Sequence, residues 1–361
     1  MAITNANYWP LGSTIQKTPS LITTSNYRNF GILSVNPTNG NTVLIYRLGT
    51  LYVGDVGSIY IRQSADGGAN WGAESQIISE ASVDLRYVAG GYNSTGRLIV
   101  FFGRYNPVTT TWLSISYRYS DNDGITWSSL STLNTQTNTT YSPFGQLVDV
   151  GNNIHYQPWF GNNGSTYTLN LYKSSDGGLT FPTIISVYSG TQLLAEPSMV
   201  NLGGGCFLLL ARINNGSTFR QFKSEDNCAT WTDMGNTSFE TWSPAPYMQA
   251  PPWLSFINYQ GVGIVACYFT RRDTNPPQLK VVFGLAQDLL NAGTGWKVTT
   301  IKTINSYPVG YTRSGYQSFF HPLNQYKGIG VCFEVGLAYG YPKIVLTPYN
   351  GMIGVLSALM P

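Results

Sequence analysis

The chain has 361 residues, of which only 10% are charged, with a formal net charge of +3, 39 Gly, 25 Tyr, 4 Cys and 2 His. So weak a positive balance, with no basic run of five or more, argues against a nucleic-acid partner, and two histidines argue against a His-based metal centre; no cofactor is expected. Cys206, Cys228, Cys267 and Cys332 lie far apart without a C-x-x-C, which suits buried free thiols, and no apolar run approaches a membrane span.

Residues 1–26 are polar and turn-rich, a lead-in with the option of completing the last structural unit; they lack the charged and apolar regions of a secretory signal. Next come Tyr27-Arg28-Asn29-Phe30, an apolar alternation, a turn at Pro37–Gly40 and a strand ending at Tyr46-Arg47. Two arginines at the mouths of successive strands stand out in so lightly charged a chain. The bland reading is a surface arginine paired with a nearby carboxylate. Asp55 follows in Gly54-Asp55-Val56-Gly57, ordinarily a turn.

Ser64–Trp71 (S-A-D-G-G-A-N-W) then opens a series. It returns as Ser120–Trp127, Ser174–Phe181 and Ser224–Trp231, with starts 56, 54 and 50 residues apart. The shared pattern is S-x-D-x-G-x-T-aromatic. Asp accepts amides two residues on, Gly supplies positive φ, and the hydroxyls tie the loop to itself, so each copy predicts a bracket between two strands. The closing ring is a wedge between neighbouring units. Half of a calcium loop is the other reading, but none of the four copies has the trailing Glu of an EF-hand. A repeat of about 55 residues divides the chain into six units. No segment holds a helical period for three turns. We therefore expect an all-β chain: a single six-bladed β-propeller over residues 1–361, with four-stranded antiparallel blades, favoured over a solenoid by variable insertions between brackets.

The second unit carries Asp84, Arg86, Arg97 and Arg104 without an assignable role; Asp84-Leu85-Arg86 reads as a loop open to a ligand. The third is rich in rings (Tyr156, Trp159, Phe160, Tyr167) that suit sugar stacking and inter-blade packing equally. In the fourth, Glu196 follows an apolar run and precedes Pro197, and the next strand ends at Arg212, 16 residues on. An acid in that setting suits a proton acceptor, and also a buried ion pair. In the fifth, Gly263–Phe269 leads to Arg271 and Arg272, adjacent residues on opposite faces of a continuing strand, and Trp296 reads as the remnant of a bracket. In the sixth, Tyr316 lies in Ser314-Gly315-Tyr316-Gln317-Ser318 and Glu334 closes a strand 18 residues later.

Tyr27-Arg28, Arg47, Asp55, the bracket beginning Arg62-Gln63-Ser64, Glu196 with Arg212, S-G-Y at Tyr316 and Glu334 occur in an order that resembles the sialidase (neuraminidase) family. Asn29-Phe30 departs from the family's Ile-Pro. The resemblance implies Asp-box turns, and a site in which Arg28, Arg212 and either Arg271 or Arg272 fork onto a substrate carboxylate, with Glu334 orienting Arg28 and Arg47 shaping the acid's surroundings. It implies Tyr316 as nucleophile, Glu196 as its base and Asp55 as acid and then base. A tyrosine replaces the usual carboxylate nucleophile, which the substrate's own carboxylate would repel.

The implied activity is exo-hydrolysis of terminal sialic acid, or a related acidic sugar, with retention. The implied partners are sialylated or other acidic glycans, met outside a cell, on a virus particle or otherwise in the cytoplasm. Two alternatives remain: a non-catalytic glycan-binding propeller, for example a virion or cell-surface protein, and a propeller enzyme acting on another acidic polysaccharide.

Overall fold

The computed structural model describes residues 20–21, 27–51, 53–65, 70–214, 216–238, 251–259, 262–271, 278–294, 296–297, 318–324, 328–335 and 343–349. Strand β1 (Ser20–Leu21) belongs to the last sheet. The first sheet runs β2 (Tyr27–Val35), β3 (Thr42–Gly49), β4 (Ser58–Ser64), β5 (Ser75–Ile78), and the second β6 (Asp84–Tyr92), β7 (Leu98–Asn106), β8 (Thr111–Ser120), β9 (Ser131–Leu133). The third holds β10 (Thr140–Pro143), β11 (Val148–Gly151), β12 (Ile154–Asn162), β13 (Tyr167–Ser174) and β14 (Thr183–Gly190). The fourth is β15 (Leu194–Gly203), β16 (Cys206–Ile213), β17 (Phe219–Ser224), β18 (Thr232–Asn236). The fifth is β19 (Trp253–Tyr259), β20 (Val262–Arg271), β21 (Gln278–Leu285), then helix α1 (Ala286–Ala292) and β22 (Trp296–Lys297). The last is β23 (Ser318–Asn324), β24 (Gly328–Val335), β25 (Lys343–Tyr349), and β1 pairs with β25, so the N-terminal segment supplies its outer strand.

All these pairings are antiparallel, and apart from β1 the strands of each sheet follow in chain order, which makes the sheets meanders. The first strands of successive sheets touch in sequence: β2 on β6, β6 on β10, β11 on β15, β15 on β19, β19 on β23 and β23 on β2. That closure defines an all-β propeller, which leaves few open edges. The second strands of the first, second and fourth sheets bury consecutive residues because these sheets pack on both faces. Residues such as Leu44, Ile45, Leu98, Val100, Leu208 and Leu210 are wholly buried between neighbouring sheets.

The third sheet departs from the expected four strands. Its first strand is broken into β10 and β11, and both halves pair with β12. The freed carbonyls of Phe144 and Gly145 accept the buried Gln157 amide at 3.0 and 3.4 Å. The break also closes the axis. The Gly90 amide donates to Gly145 O (3.1 Å), Leu147 N to Gly90 O (3.0 Å), Gln146 Nε2 to Leu254 O (3.3 Å) and Leu254 N to Ser198 Oγ (2.8 Å). Four sheets are thus tied together through inner-strand polar groups that would otherwise be costly to bury.

The brackets fall between third and fourth strands. In the third sheet Asp176 accepts the Thr180 amide (2.9 Å) and hydroxyl (2.5 Å), and Ser174 Oγ accepts the Gly178 amide (2.9 Å). In the second sheet Asn122 accepts the Thr126 amide (2.9 Å) and donates its side-chain amide to the Thr126 hydroxyl (2.9 Å), and in the fourth Asp226 accepts both from Thr230. Cys228 takes the left-handed backbone (φ 65°) that Gly178 takes in the third bracket (φ 83°). Phe181 is the wedge the pattern predicts: it lies 5.0 Å from Phe101 and 5.3 Å from Tyr117, both in the preceding sheet. Asp66–Ala69 of the first bracket lie outside the described residues. In the fifth sheet α1 stands where the first four have a bracket. Trp296 keeps the aromatic position there, buried, with its Nε1 donating to Gln221 Oε1 at 2.8 Å.

Cys228 and Cys267 are buried free thiols, and burial pushes both thiols up. Among the described residues no helix is long and apolar enough to cross a membrane.

Candidate functional site

Strand register sorts the sequence candidates onto one end of the sheets. Arg28 sits near the start of β2, opposite Leu48 near the end of β3, and Arg47 opposes Asn29. Ala195, just before Glu196, opposes Arg212. Arg271 is the last residue of β20, and Glu334, opposite Ile344, is the penultimate residue of β24. Starts of first strands and ends of second strands share one edge of a meander, whereas the brackets follow third strands and share the other. For Arg28, Arg271 and Glu334 the description stops at the backbone; Arg272 and Tyr316 lie outside the described residues.

Two charged clusters form at this end. The first is built around Arg47, whose side chain is fully buried. Its Nε donates to Asp84 Oδ1 at 2.7 Å, its Nη1 to the Leu51 carbonyl at 3.0 Å, and its Nη2 to Asp55 Oδ1. Gly49 and Gly57 flank the guanidinium so closely that a β-carbon at either would collide with it. Asp55 also accepts the Thr50 amide, the Thr50 hydroxyl (2.9 Å) and the Leu51 amide (3.1 Å). Burial pushes its carboxyl up, but the charge and hydrogen bond of Arg47, with Thr50 and Leu51, outweigh this and hold it below the ordinary carboxylate range. Asp55 is therefore a gripped carboxylate anion at neutral pH.

Asp84 is the residue whose part sequence reading missed. It opens strand β6 where a loop was expected, and it is wholly buried. It accepts Arg47 Nε, Arg86 Nε (2.5 Å) and the Gly57 amide (3.2 Å), joining the first two sheets. Two charges spaced two apart at the head of an apolar alternation were the available signal: period two puts them on one face.

The second cluster is Glu196 with Arg212, an ion pair of 2.8 Å between side chains that are 2% and 5% exposed. Register slips between Ala195 and Ser198, so Glu196 and Pro197 face a single residue of β16. Glu196 sits in this bulge with φ 52°, a left-handed backbone uncommon for a non-glycine and typical of functional sites. Chemically the pair offers a carboxylate proton acceptor beside a fixed cation. Half-buried rings near this edge include Tyr87, Tyr105, Trp112 and Phe160. Among the described residues no group of three or more His, Cys, Asp or Glu could hold a metal ion.

Comparison with known proteins bears on both fold and family. The family model described as a BNR repeat-like domain matches residues 59–246, just over half the chain. No curated protein matches the sequence. Among solved structures, the Trypanosoma rangeli sialidase superposes with a TM-score of 0.71 at 11% identity, covering 95% of this chain and 59% of that one. The same sialidase has been solved in complex with sialic acid. A Hadza microbial sialidase gives 0.67 at 15% identity, covering 92% and 66%. A Dyadobacter fermentans protein of unknown function gives 0.72 at 14% identity, covering 93% of this chain and 98% of that one. At such identities the likeness is one of fold, and this chain spans about three fifths of the Trypanosoma protein's length.

Proposed function

Because the chain belongs to the BNR repeat-like domain family, we propose that it is a sialidase-like exo-glycoside hydrolase that removes terminal sialic acid, or a related acidic sugar, from glycans with retention. We read the six sheets as six blades, with the substrate bound at the edge where their first strands begin. The observation that carries the proposal is the buried Glu196–Arg212 pair, held in a left-handed bulge at that edge. In this reading Arg212 is one of three arginines, with Arg28 and Arg271 or Arg272, that fork onto the sugar's carboxylate. Glu334 orients Arg28. Glu196 draws the proton from Tyr316, whose phenolate attacks the anomeric carbon and expels the aglycone oxygen, which Asp55 protonates. Water, deprotonated by Asp55, then attacks the same carbon and releases Tyr316. Arg47 serves as the anchor of the Asp55 loop, since its guanidinium is buried and bonded on three sides.

The state of Asp55 favours a second reading. A general acid needs a raised pKa, and the Asp55 carboxyl is held low by Arg47. A non-catalytic glycan-binding propeller needs no such acid; an enzyme needs the Asp55 loop to loosen its grip on Arg47 when substrate binds. Release of a fluorogenic aglycone from an α-linked sialic acid separates the two. The enzyme predicts turnover by the wild type, near-complete loss in Tyr316→Phe, and a fall of about 10²–10⁴-fold in kcat for Glu196→Gln with the fold retained. A folded wild type that binds sialosides without turnover selects the binding protein.

A further inference from the structure

We propose that Arg86 is a positioning residue for Asp55: acting through Asp84 and Arg47, it sets how tightly Asp55 holds a proton. The inference rests on the reading that Asp55 serves as the acid of the site. It begins with contacts in a row. Asp55 meets Arg47 Nη2, Arg47 Nε donates to Asp84 Oδ1 at 2.7 Å, and Arg86 Nε donates to Asp84 Oδ2 at 2.5 Å. Four charges of alternating sign thus run from the Asp55 loop into β6, with Arg86 as the outer end.

The strand explains how Arg86 comes to be there. Asp84 and Arg86 are two apart in β6 and share a face, and Tyr105 stands directly opposite Asp84 on β7. The guanidinium lies 3.8 Å over the Tyr105 ring, which seats the cation as well. Alternation ends at Arg86: register slips between Arg86 and Ala89, and Tyr87 takes φ 54° in the bulge. The Arg86 side chain is 11% exposed, so its charge acts where water and salt screen it little.

Asp84 divides its two oxygens. Oδ1 accepts Arg47 Nε and the Gly57 amide (3.2 Å), and the Leu85 amide donates to Gly57 O at 3.1 Å, so the far end of the Asp55 loop is tied to β6 at the same point. Among the described residues Arg86 is the partner of Oδ2. Asp84 is wholly buried, and a buried carboxylate with one oxygen orphaned is costly. Without Arg86 that carboxylate turns to its remaining cation, Arg47, and draws the guanidinium away from Asp55. With Arg86 in place, one guanidinium serves two carboxylates. Burial raises the Asp55 carboxyl and Arg47 outweighs it, so a weaker hold by Arg47 lets Asp55 take its proton at higher pH. The other charges beside β6 compensate each other: Arg104, opposite Leu85, is bonded to Glu80 at 2.5 Å. Besides Arg47, the groups that meet Asp55 belong to Thr50 and Leu51 and are neutral.

The test is an NMR titration of the side-chain carboxyls in the full chain, isotope-labelled at aspartate, with Asp55→Asn assigning the Asp55 resonance. Arg86→Met should move the Asp55 midpoint to higher pH, its proton bound about threefold more tightly. Arg86→Lys, which keeps the charge, should return most of the way to wild type. On an Asp84→Asn background, Arg86→Met should leave Asp55 where Asp84→Asn alone puts it. A midpoint that Arg86→Met leaves unmoved, lowers, or raises equally in both backgrounds overturns the proposal. Should Arg86→Met melt early, Arg86→Gln, which still donates to Asp84 but carries no charge, takes its place. The readout needs no substrate, so an inactive wild type sinks the parent reading while the titration still decides the row. If the wild type turns over, the alkaline limb of its kcat/KM profile should follow the Asp55 midpoint in Arg86→Met, and a limb that stays fixed overturns the link to the acid step.

Discussion

The bracket edge and the site edge of these sheets reach stability by opposite routes. At the bracket edge the core of each bracket closes within eight residues of chain: Ser174, Asp176, Gly178 and Thr180 are joined by hydrogen bonds among themselves, and Asn122 or Asp226 heads the corresponding circuit elsewhere. At the site edge the partners lie far apart in sequence. Arg47 reaches Asp84 across 37 residues, and Arg212 meets Glu196 around a bulge. Local circuits can be copied from sheet to sheet and altered one at a time. Buried charges cannot, because each is tolerable only while its partner is present.

That difference predicts the largest effect in the molecule. Replacing Arg47 by Met roughly keeps the volume but strands Asp55 without its cation and leaves the buried Asp84 with Arg86 alone. Breaking a buried ion pair from one side costs about 3–5 kcal/mol, so Arg47→Met should lose most of the stability of the first two sheets in denaturant unfolding. Asp84→Asn on the same background should restore part of it, with a coupling of about 0.5–3 kcal/mol. Simple addition of the two losses would mean that the site edge is built as loosely as the bracket edge.

The same difference explains what the sequence disclosed. The brackets, their wedges and the propeller follow from eight-residue patterns and two-residue alternation, and Phe181 against Phe101 is the predicted wedge. Glu196 and Arg212 were legible as a pair because a hairpin joins them. Asp84 was not, since nothing within β6 names a partner in β3. The broken first strand of the third sheet and the helix in place of the fifth bracket were equally silent: both are tertiary solutions to axis closure and packing. The bulges at Tyr87 and Glu196 left no mark either, because neither residue type announces a left-handed backbone.

An intermediate effect is expected where the two styles meet. Because Asn122 fills the bracket role in the second sheet, the adjacent Asp123 is turned toward the first sheet. It accepts Asn36 Nδ2 (2.7 Å), Asn39 Nδ2 (2.8 Å), Asn41 Nδ2 (3.1 Å) and the Tyr92 hydroxyl (2.8 Å). Burial raises its carboxyl, but these four bonds outweigh it and leave it lowered. A lowered folded-state pKa stabilises the fold above the unfolded value of about 3.9, and that stabilisation is lost as pH falls through the folded value. Asp123→Ala should cost about 2 kcal/mol at pH 7 and flatten the acid limb of a melting-temperature profile. An unchanged acid limb would assign acid sensitivity to other carboxylates, Asp149 first among them, since the His155 side chain and backbone amides outweigh its burial and hold it low.

The smallest effects probe the bracket edge itself. Thr180→Val removes the hydroxyl bond to Asp176 and Thr126→Val the bond from Asn122, and each should cost about 0.5–1 kcal/mol. Neither threonine hydroxyl shares a partner with the other, so the double variant should lose the sum within about 0.5 kcal/mol. Read beside the Arg47 and Asp84 cycle, the result is decisive in either direction. Additive brackets with a coupled site edge mean that local circuits hold each sheet, while buried charges hold sheets to one another. Coupled brackets would mean that the wedges transmit strain around the ring, because Phe181 links its own bracket to Tyr117 in the sheet before it.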